Sequence, residues 1–368
     1  MEWIPLPIGV ENFEDLREHG YYFVDKTLFI KELLDMKGKV NLFTRPRRFG
    51  KTLNMSILRY FFEKGEKDNS GLFQGLKIMD AGEKYLSHMG KYPVISVSLK
   101  SMKQYSYDLA YDMLKKAVRE EYRRHWEQVK NSGKLGEAEV QRYERIRDLN
   151  GTESDYADSL KFLSECLYAC TGQRSVILID EYDVPLENAY FSGFYDRMVN
   201  LIRSLFESAL KTNDNLEFAV VTGCLRISKE SIFTGLNNLK IMSITSKTYA
   251  EHFGFTPEEV EQMLQDYGLE ENLETVKKWY DGYRFGEAEV YNPWSVINYV
   301  DSCYKNKNAF AKPYWSNTSS NSIVKNLIEH ADLSVRQEIE GLIEGGTITK
   351  PIHEDITYDD MNSTQDNL

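Results

Sequence analysis

Thr44-Arg45-Pro46-Arg47-Arg48-Phe49-Gly50-Lys51-Thr52 is the stretch on which the reading of this chain turns. An apolar run precedes it (Val40, Leu42, Phe43), and apolar residues at helical spacing follow it (Leu53, Ile57, Leu58, Phe61). The order is strand, loop, helix, with Gly50-Lys51-Thr52 at the turn. A loop of this kind wraps phosphates. Backbone N–H groups and the helix N-terminus face the anion, the lysine reaches the β- and γ-phosphates, and the hydroxyl holds Mg²⁺. On that reading Arg47, Arg48, Phe49, Gly50, Lys51, Thr52 and Leu53 surround a nucleotide, and Thr52 is a metal ligand. The full pattern opens with a further glycine, and Arg45 stands in that place. A basic turn that caps a helix has the same composition and is the alternative.

A second stretch supports the nucleotide reading. Val176-Ile177-Leu178-Ile179 is continuously apolar and ends in Asp180-Glu181. Such a run suits a strand buried on both faces, as in a parallel sheet. Acids at its C-terminal end sit where open α/β sheets bind ligands. Asp180 would hold Mg²⁺ directly or through water, and Glu181 would orient or deprotonate an attacking water. Two acids capping a surface strand would look the same in isolation. The two stretches together favour nucleotide binding.

Further strands read from Pro93 to Leu99, from Phe218 to Val221 and from Leu239 to Ile244. They alternate with amphipathic helices, which predicts an α/β fold with a parallel sheet flanked by helices. Residues 1–250 form this domain. A charged helical insertion spans about 103–150, with Ala110, Met113, Leu114 and Ala117 on one face, and is expected to reach out of the sheet. Acids at Glu120, Glu121 and Glu127 dilute its basic residues, so a solvated hairpin fits better than a nucleic-acid stripe. Residues 251–350 read as a small helical or winged-helix-like lid domain. Thr256-Pro257-Glu258-Glu259 is a capping box, and Asn292 is an N-cap. Trp279-Tyr280-Asp281-Gly282-Tyr283 reads as core packing. Residues 351–368 contain no Lys or Arg and few apolar residues, and read as a polar tail or linker.

Composition sets the remaining bounds. The chain has 368 residues and a net charge of −12, which argues against non-specific nucleic-acid binding. Yet Arg45 to Arg59 contains basic residues and no acid, a positive island suited to polyphosphate. The four cysteines lack zinc spacing and read as free thiols. No run is apolar enough to span a membrane, and the N-terminus lacks a signal-peptide core, so the cytoplasm is the expected location.

Two more polar residues remain. Thr222 ends a strand where it would contact a γ-phosphate or an attacking water; a plain strand-end hydroxyl is the alternative. Arg226 is placed to reach phosphate in cis, or in trans on a neighbouring subunit of a homo-oligomer, and a surface ion pair is its bland reading. Arg47 and Arg48 would touch phosphates or bind acids of the helical domain and lock the site.

With these residues in hand, the chain resembles the predicted AAA-ATPase-like family of bacterial proteins. The resemblance rests on Ile4-Pro5-Leu6-Pro7-Ile8-Gly9, Tyr22-Phe23-Val24-Asp25-Lys26-Thr27 and the Arg45–Thr52 loop. It continues through Leu178-Ile179-Asp180-Glu181-Tyr182-Asp183, Thr222-Gly223-Cys224-Leu225-Arg226-Ile227-Ser228 and Trp279–Tyr283. It implies a P-loop NTPase fold of AAA/STAND-like type and ATP with Mg²⁺ as cofactors. It also implies Thr222 and Arg226 in sensor-like places and Tyr22 and Phe23 against the nucleobase. Arg45 in the glycine position is a trait of that family. Members often carry a C-terminal PD-(D/E)XK nuclease-type domain. No Asp…Glu-x-Lys constellation is read here, so any such domain or effector would be absent from this chain. The expected function is a Mg²⁺-dependent ATPase driving conformational or oligomeric switching. The alternatives are a nucleotide-binding switch or pseudo-ATPase, its loop crowded by Arg45, and a nucleic-acid-associated scaffold for a nuclease-type effector.

Overall fold

A computed structural model describes residues 3–65, 67–225, 232–233, 235–316, 328 and 333–349. The expected tail at 351–368 and Arg226 lie outside the described residues.

Five parallel strands form the central sheet: β1 Val40–Thr44, β2 Val94–Ser98, β3 Ser175–Asp180, β4 Leu216–Gly223 and β5 Leu239–Met242. Their order across the sheet is β2-β3-β4-β1-β5. The chain leaves β1 for the far edge, returns strand by strand to β1's flank, and then crosses to its other side. The continuous apolar runs follow from this burial. Val40, Leu42, Ile177, Ile179, Ala219 and Val221 face one core. Their neighbours Phe43, Val176, Leu178 and Val220 face the other. Helices cover both faces, so alternation of polar and apolar residues has no place in these strands.

The helix Tyr107–Arg124 departs from the expectation of an arm reaching outwards. Its residues Ala110, Leu114, Val118 and Tyr122 are fully buried in the sheet's core. Its far end also serves β2. The Pro93 carbonyl accepts the Val176 N–H of β3, so the alternate groups of Val94 and Ser96 face outwards from the sheet edge. Glu121 accepts the Ser96 N–H at 2.8 Å. His125 Nε2 lies 3.0 Å from the Val94 carbonyl, and Arg124 donates to that same carbonyl. Of the charges that suggested a solvated hairpin, Lys116, Glu120 and Arg123 are exposed, whereas Glu121 and Arg124 turn in to the edge of β2.

The described residues from 257 to 305 hold three α-helices, Pro257–Asp266, Leu273–Tyr280 and Pro293–Lys305, and a two-stranded antiparallel hairpin, β6 Tyr283–Phe285 with β7 Ala288–Val290; a further helix spans Leu333–Ile343. The predicted caps are present. Thr256 and Glu259 exchange the two bonds of a capping box, and Asn292 accepts from Ser295 N–H. Trp279 is 48% exposed, whereas Tyr280 enters the core. Val276 and Tyr280, four residues apart, point inwards, and Trp279 falls off that face. The N-terminal segment joins this unit: Leu6 belongs to its core, with Trp3, Tyr22 and Val24 packed against it. The chain therefore begins against its own C-terminal helices before entering the sheet. Among the described residues, no helix is long and apolar enough to cross a membrane.

Candidate functional site

The C-terminal ends of β1, β3 and β4 meet beside the helix Lys51–Phe62. This is the switch point of the sheet, where strand-end loops diverge and leave a crevice. Gly50, at φ 79, turns the loop into the helix, a left-handed conformation that glycine adopts without a Cβ clash. Lys51 follows as the first helical residue. It is nearly buried, and its Nζ donates to the carbonyls of Arg45 at 2.8 Å and Pro46 at 2.9 Å. Cys224 Sγ lies 3.4 Å away. The loop is thus closed around its own lysine.

Thr52 Oγ1 donates to Asp180 Oδ2 at 2.8 Å. Thr222 Oγ1 donates to the other carboxylate oxygen of Asp180. β3 and β4 are neighbours, so Asp180 and Thr222 meet from adjacent strand ends, and Thr52 joins them from the helix that follows β1. Thr222 is 1% exposed and stays beneath the cavity, committed to Asp180. The expectation that it faces a phosphate or water is not met in this geometry; the neighbouring carboxylate claims its only proton. Glu181 does reach the cavity wall. Its φ is 54, a left-handed conformation that costs an L-residue roughly 1–2 kcal/mol. Burial, and then repulsion from Asp180, holds its carboxyl above the ordinary value.

Arg45 does not crowd the loop. Its side chain is fully buried and leaves the phosphate side entirely. Nη1 donates to the carbonyls of Thr44 at 3.0 Å and Met242 at 2.8 Å. The guanidinium lies 5.2 Å from the Phe253 ring centre and 5.0 Å from that of Phe285. Burial pulls its pKa down to about 10. The missing glycine is therefore filled by a side chain that ties β1 to β5 and to the C-terminal unit. Phe49 is buried against Tyr283 and Phe285 on the same side. Arg48, at φ 70, is exposed and places its guanidinium 4.3 Å from the Trp294 ring centre. Arg47 pairs with Glu187 at 2.9 Å.

A cavity of about 600 Å³ opens over this loop. Residues Arg47 to Asn54 form one wall, and Glu181 and Asp183 lie at the strand ends. Tyr22 and Phe23 line it from the N-terminal segment, and Phe255, Met263 and Trp294 from the C-terminal unit. Tyr22 also donates to Asp266 at 2.7 Å and so fastens the two segments together. Of the candidate residues, the structure brings Arg47 to Leu53, Glu181, Tyr22 and Phe23 to one cavity, with Asp180 and Thr222 beneath it.

Several site residues escaped sequence reasoning. Asp183 is buried and accepts the N–H groups of Cys224 at 2.7 Å and Leu225 at 2.8 Å. It pins the loop that follows β4, and burial raises its carboxyl. Both Asp183 and Cys224 stood inside quoted motifs, and their position next to Asp180 and Thr222 was the available signal. Glu187 and Trp294 carried none.

Gly223 is fixed by sterics. A Cβ there would lie 2.4 Å from Tyr182 Cε1 and 2.9 Å from Asp183 Oδ1. Tyr182 is fully buried and donates to the Leu225 carbonyl at 2.6 Å, so its ring has nowhere to go. Gly223→Ala is expected to lower stability by about 1–3 kcal/mol, the usual range for overpacking. Denaturant titration of the variant checks this; an unchanged midpoint would show that the ring is free to move.

An uncharacterized protein of the vnfD 5′ region from Azotobacter chroococcum mcd 1 is 29% identical over 325 residues, covering 88% of this chain and 56% of that relative. The chain thus spans just over half the length of the curated relative it matches. The model of the AAA-ATPase-like family, described as predicted AAA-ATPase, matches residues 7–233. That match takes in the phosphate loop, the acidic strand end and all of β1 to β4, and the chain belongs to the predicted AAA-ATPase-like family.

Proposed function

We propose that the chain binds ATP with Mg²⁺ in this cavity and hydrolyses it. The observation that carries the reading is the convergence of Lys51, Thr52 and Asp180 at one strand-end crevice. In the described geometry Lys51 bonds to loop carbonyls; an entering β/γ-phosphate would take those donors, exchanging two neutral acceptors for a charged one. Thr52 Oγ1 and Asp180 are hard oxygen donors on one side of the loop, the set that suits Mg²⁺ once phosphate oxygens and water complete its shell. Mg²⁺, when bound, neutralises charge on the phosphates.

Glu181 is the base in this reading. Its carboxylate takes a proton from water as the water oxygen bonds to the γ-phosphorus. The bond from that phosphorus to the bridging oxygen breaks, and ADP leaves with the electron pair. Thr222 holds Asp180 in place by occupying its second oxygen. Tyr22 and Phe23, with the apolar wall of the C-terminal unit, would hold the base; the choice of adenine follows the family. The C-terminal helices act as a lid whose position depends on nucleotide. Arg226 acts on phosphate in cis or from a neighbouring copy. That Arg45 faces away from the loop favours hydrolysis over a crowded, inactive loop.

The test is a calorimetric titration with ATP, with and without Mg²⁺, beside Asp180→Asn. Mg²⁺ is expected to tighten binding to the parent chain and to have little effect on the variant. Equal Mg²⁺ dependence in both would remove Asp180 from the metal site.

A further inference from the structure

The geometry points to a charge exchange at Arg47, resting on the nucleotide reading above: Glu187 holds Arg47 in the resting site and yields it to the terminal phosphate of a nucleoside triphosphate. Arg47 lies in the phosphate loop, four residues before Lys51. Its Nη2 is 2.9 Å from Glu187 Oε2, and both side chains line the cavity. The pair is largely shielded from water, with Arg47 32% and Glu187 12% exposed at the side chain. An arginine in such a loop, ion-paired to Glu187, is a phosphate-binding group held in reserve.

Three features favour the exchange. A terminal phosphate carries more negative charge than a carboxylate, and the guanidinium fork matches its oxygens in a two-point contact. Glu187 is not stranded when Arg47 leaves, because it sits in the first turn of the helix Val184–Ser192. The partial positive charge of a helix N-terminus continues to stabilise it. A diphosphate ends one phosphate short and leaves the ion pair intact. The exchange therefore separates triphosphate from diphosphate.

It also has an output. The helix Val184–Ser192 begins directly after Asp180-Glu181-Tyr182-Asp183, so release of Glu187 is felt next to the proposed base. On the other side, the Arg47 carbonyl accepts Trp315 Nε1 at 3.4 Å, and Arg48 stacks on Trp294. The loop tip thus touches both the helix after β3 and the C-terminal unit. Arg47 is a positioning and sensing residue in this scheme, and Glu187 sets its threshold.

The experiment is calorimetric titration of ATP and of ADP, both with Mg²⁺, against the parent chain, Arg47→Gln, Glu187→Gln and the double variant. Arg47→Gln is expected to weaken ATP about tenfold and ADP less than about twofold. Glu187→Gln is expected to tighten ATP several-fold, up to about tenfold, because the competing charge is gone, with little change for ADP. In the Arg47→Gln background the Glu187→Gln change is expected to have no effect, since paired residues are not additive. Should Glu187→Gln fail to fold, Glu187→Asp keeps the charge at the helix end but withdraws it, and should shift ATP the same way by less. A parent chain that binds ATP in a Lys51-dependent manner, with the ATP/ADP ratio unmoved by either Glu187 variant, overturns the exchange alone. A Glu187→Gln effect that persists without Arg47 overturns it too. No binding of either nucleotide by the parent chain overturns the phosphate-loop reading, and the exchange with it.

Discussion

Lys51→Ala is expected to weaken nucleotide binding by roughly ten- to a hundredfold. A hydrogen bond to a charged group contributes about 1.5–3 kcal/mol, and each 1.4 kcal/mol is about tenfold in affinity. Lys51 is the buried cation nearest the loop carbonyls, so its removal takes away the main phosphate contact. The same change leaves the carbonyls of Arg45 and Pro46 without this donor. Thermal melts should accompany the titration, so that lost binding is separated from lost fold. A folded variant that binds ATP as tightly as the parent would remove the assignment of the loop.

Glu181→Gln is expected to keep nucleotide binding and to lower turnover about 10²- to 10⁴-fold, the range for loss of a general base. Gln is close in size to Glu and keeps its place on the cavity wall, but it cannot accept the proton. The pH profile gives an independent reading. A base works only when ionised, and burial followed by repulsion from Asp180 raises Glu181 above its ordinary value, with Lys100 and Lys51 opposing. Turnover of the parent chain is therefore expected to fall with decreasing pH along a limb that lies above the ordinary carboxylate range. The residual rate of Glu181→Gln should lack that limb. Steady-state phosphate release across pH measures both. An equal rate in the variant, or an unchanged limb, would assign the base elsewhere.

The sheet was legible in the sequence because its strands are short apolar runs bounded by polar strand ends. Val176 to Ile179 needed no partner to be recognised, and Asp180-Glu181 marked its C-terminal end. The loop was legible for a similar reason: Gly50, Lys51 and Thr52 are consecutive, so local order alone places them. The apolar wall was legible only in part: the family resemblance brought in Tyr22 and Phe23, but nothing in the sequence brought in Trp294. Phe23 and Trp294 line the same cavity from positions far apart in the chain, and only the packing of the first residues on the last helices brings them together. Arg45 shows a different limit. Sequence marks a side chain where the pattern has glycine, but not which way that side chain points. The aromatic rings of Phe253 and Phe285 draw it away from the loop. The helix Tyr107–Arg124 misled because its charges are many and its buried stripe is narrow. Its burial depends on the sheet beneath, which local composition does not show.

The edge of β2 has a consequence for how copies of this chain can meet. An open edge strand is a template on which another chain can add its own strand, the common route to aggregation and swapped sheets. Here Arg124 and His125 already occupy the Val94 carbonyl, and Glu121 the Ser96 N–H. These polar side chains act as a selvedge, binding off the fabric where it would otherwise unravel into a neighbour's. A neighbour's strand could join the sheet at these two groups only by first displacing the side chains that hold them.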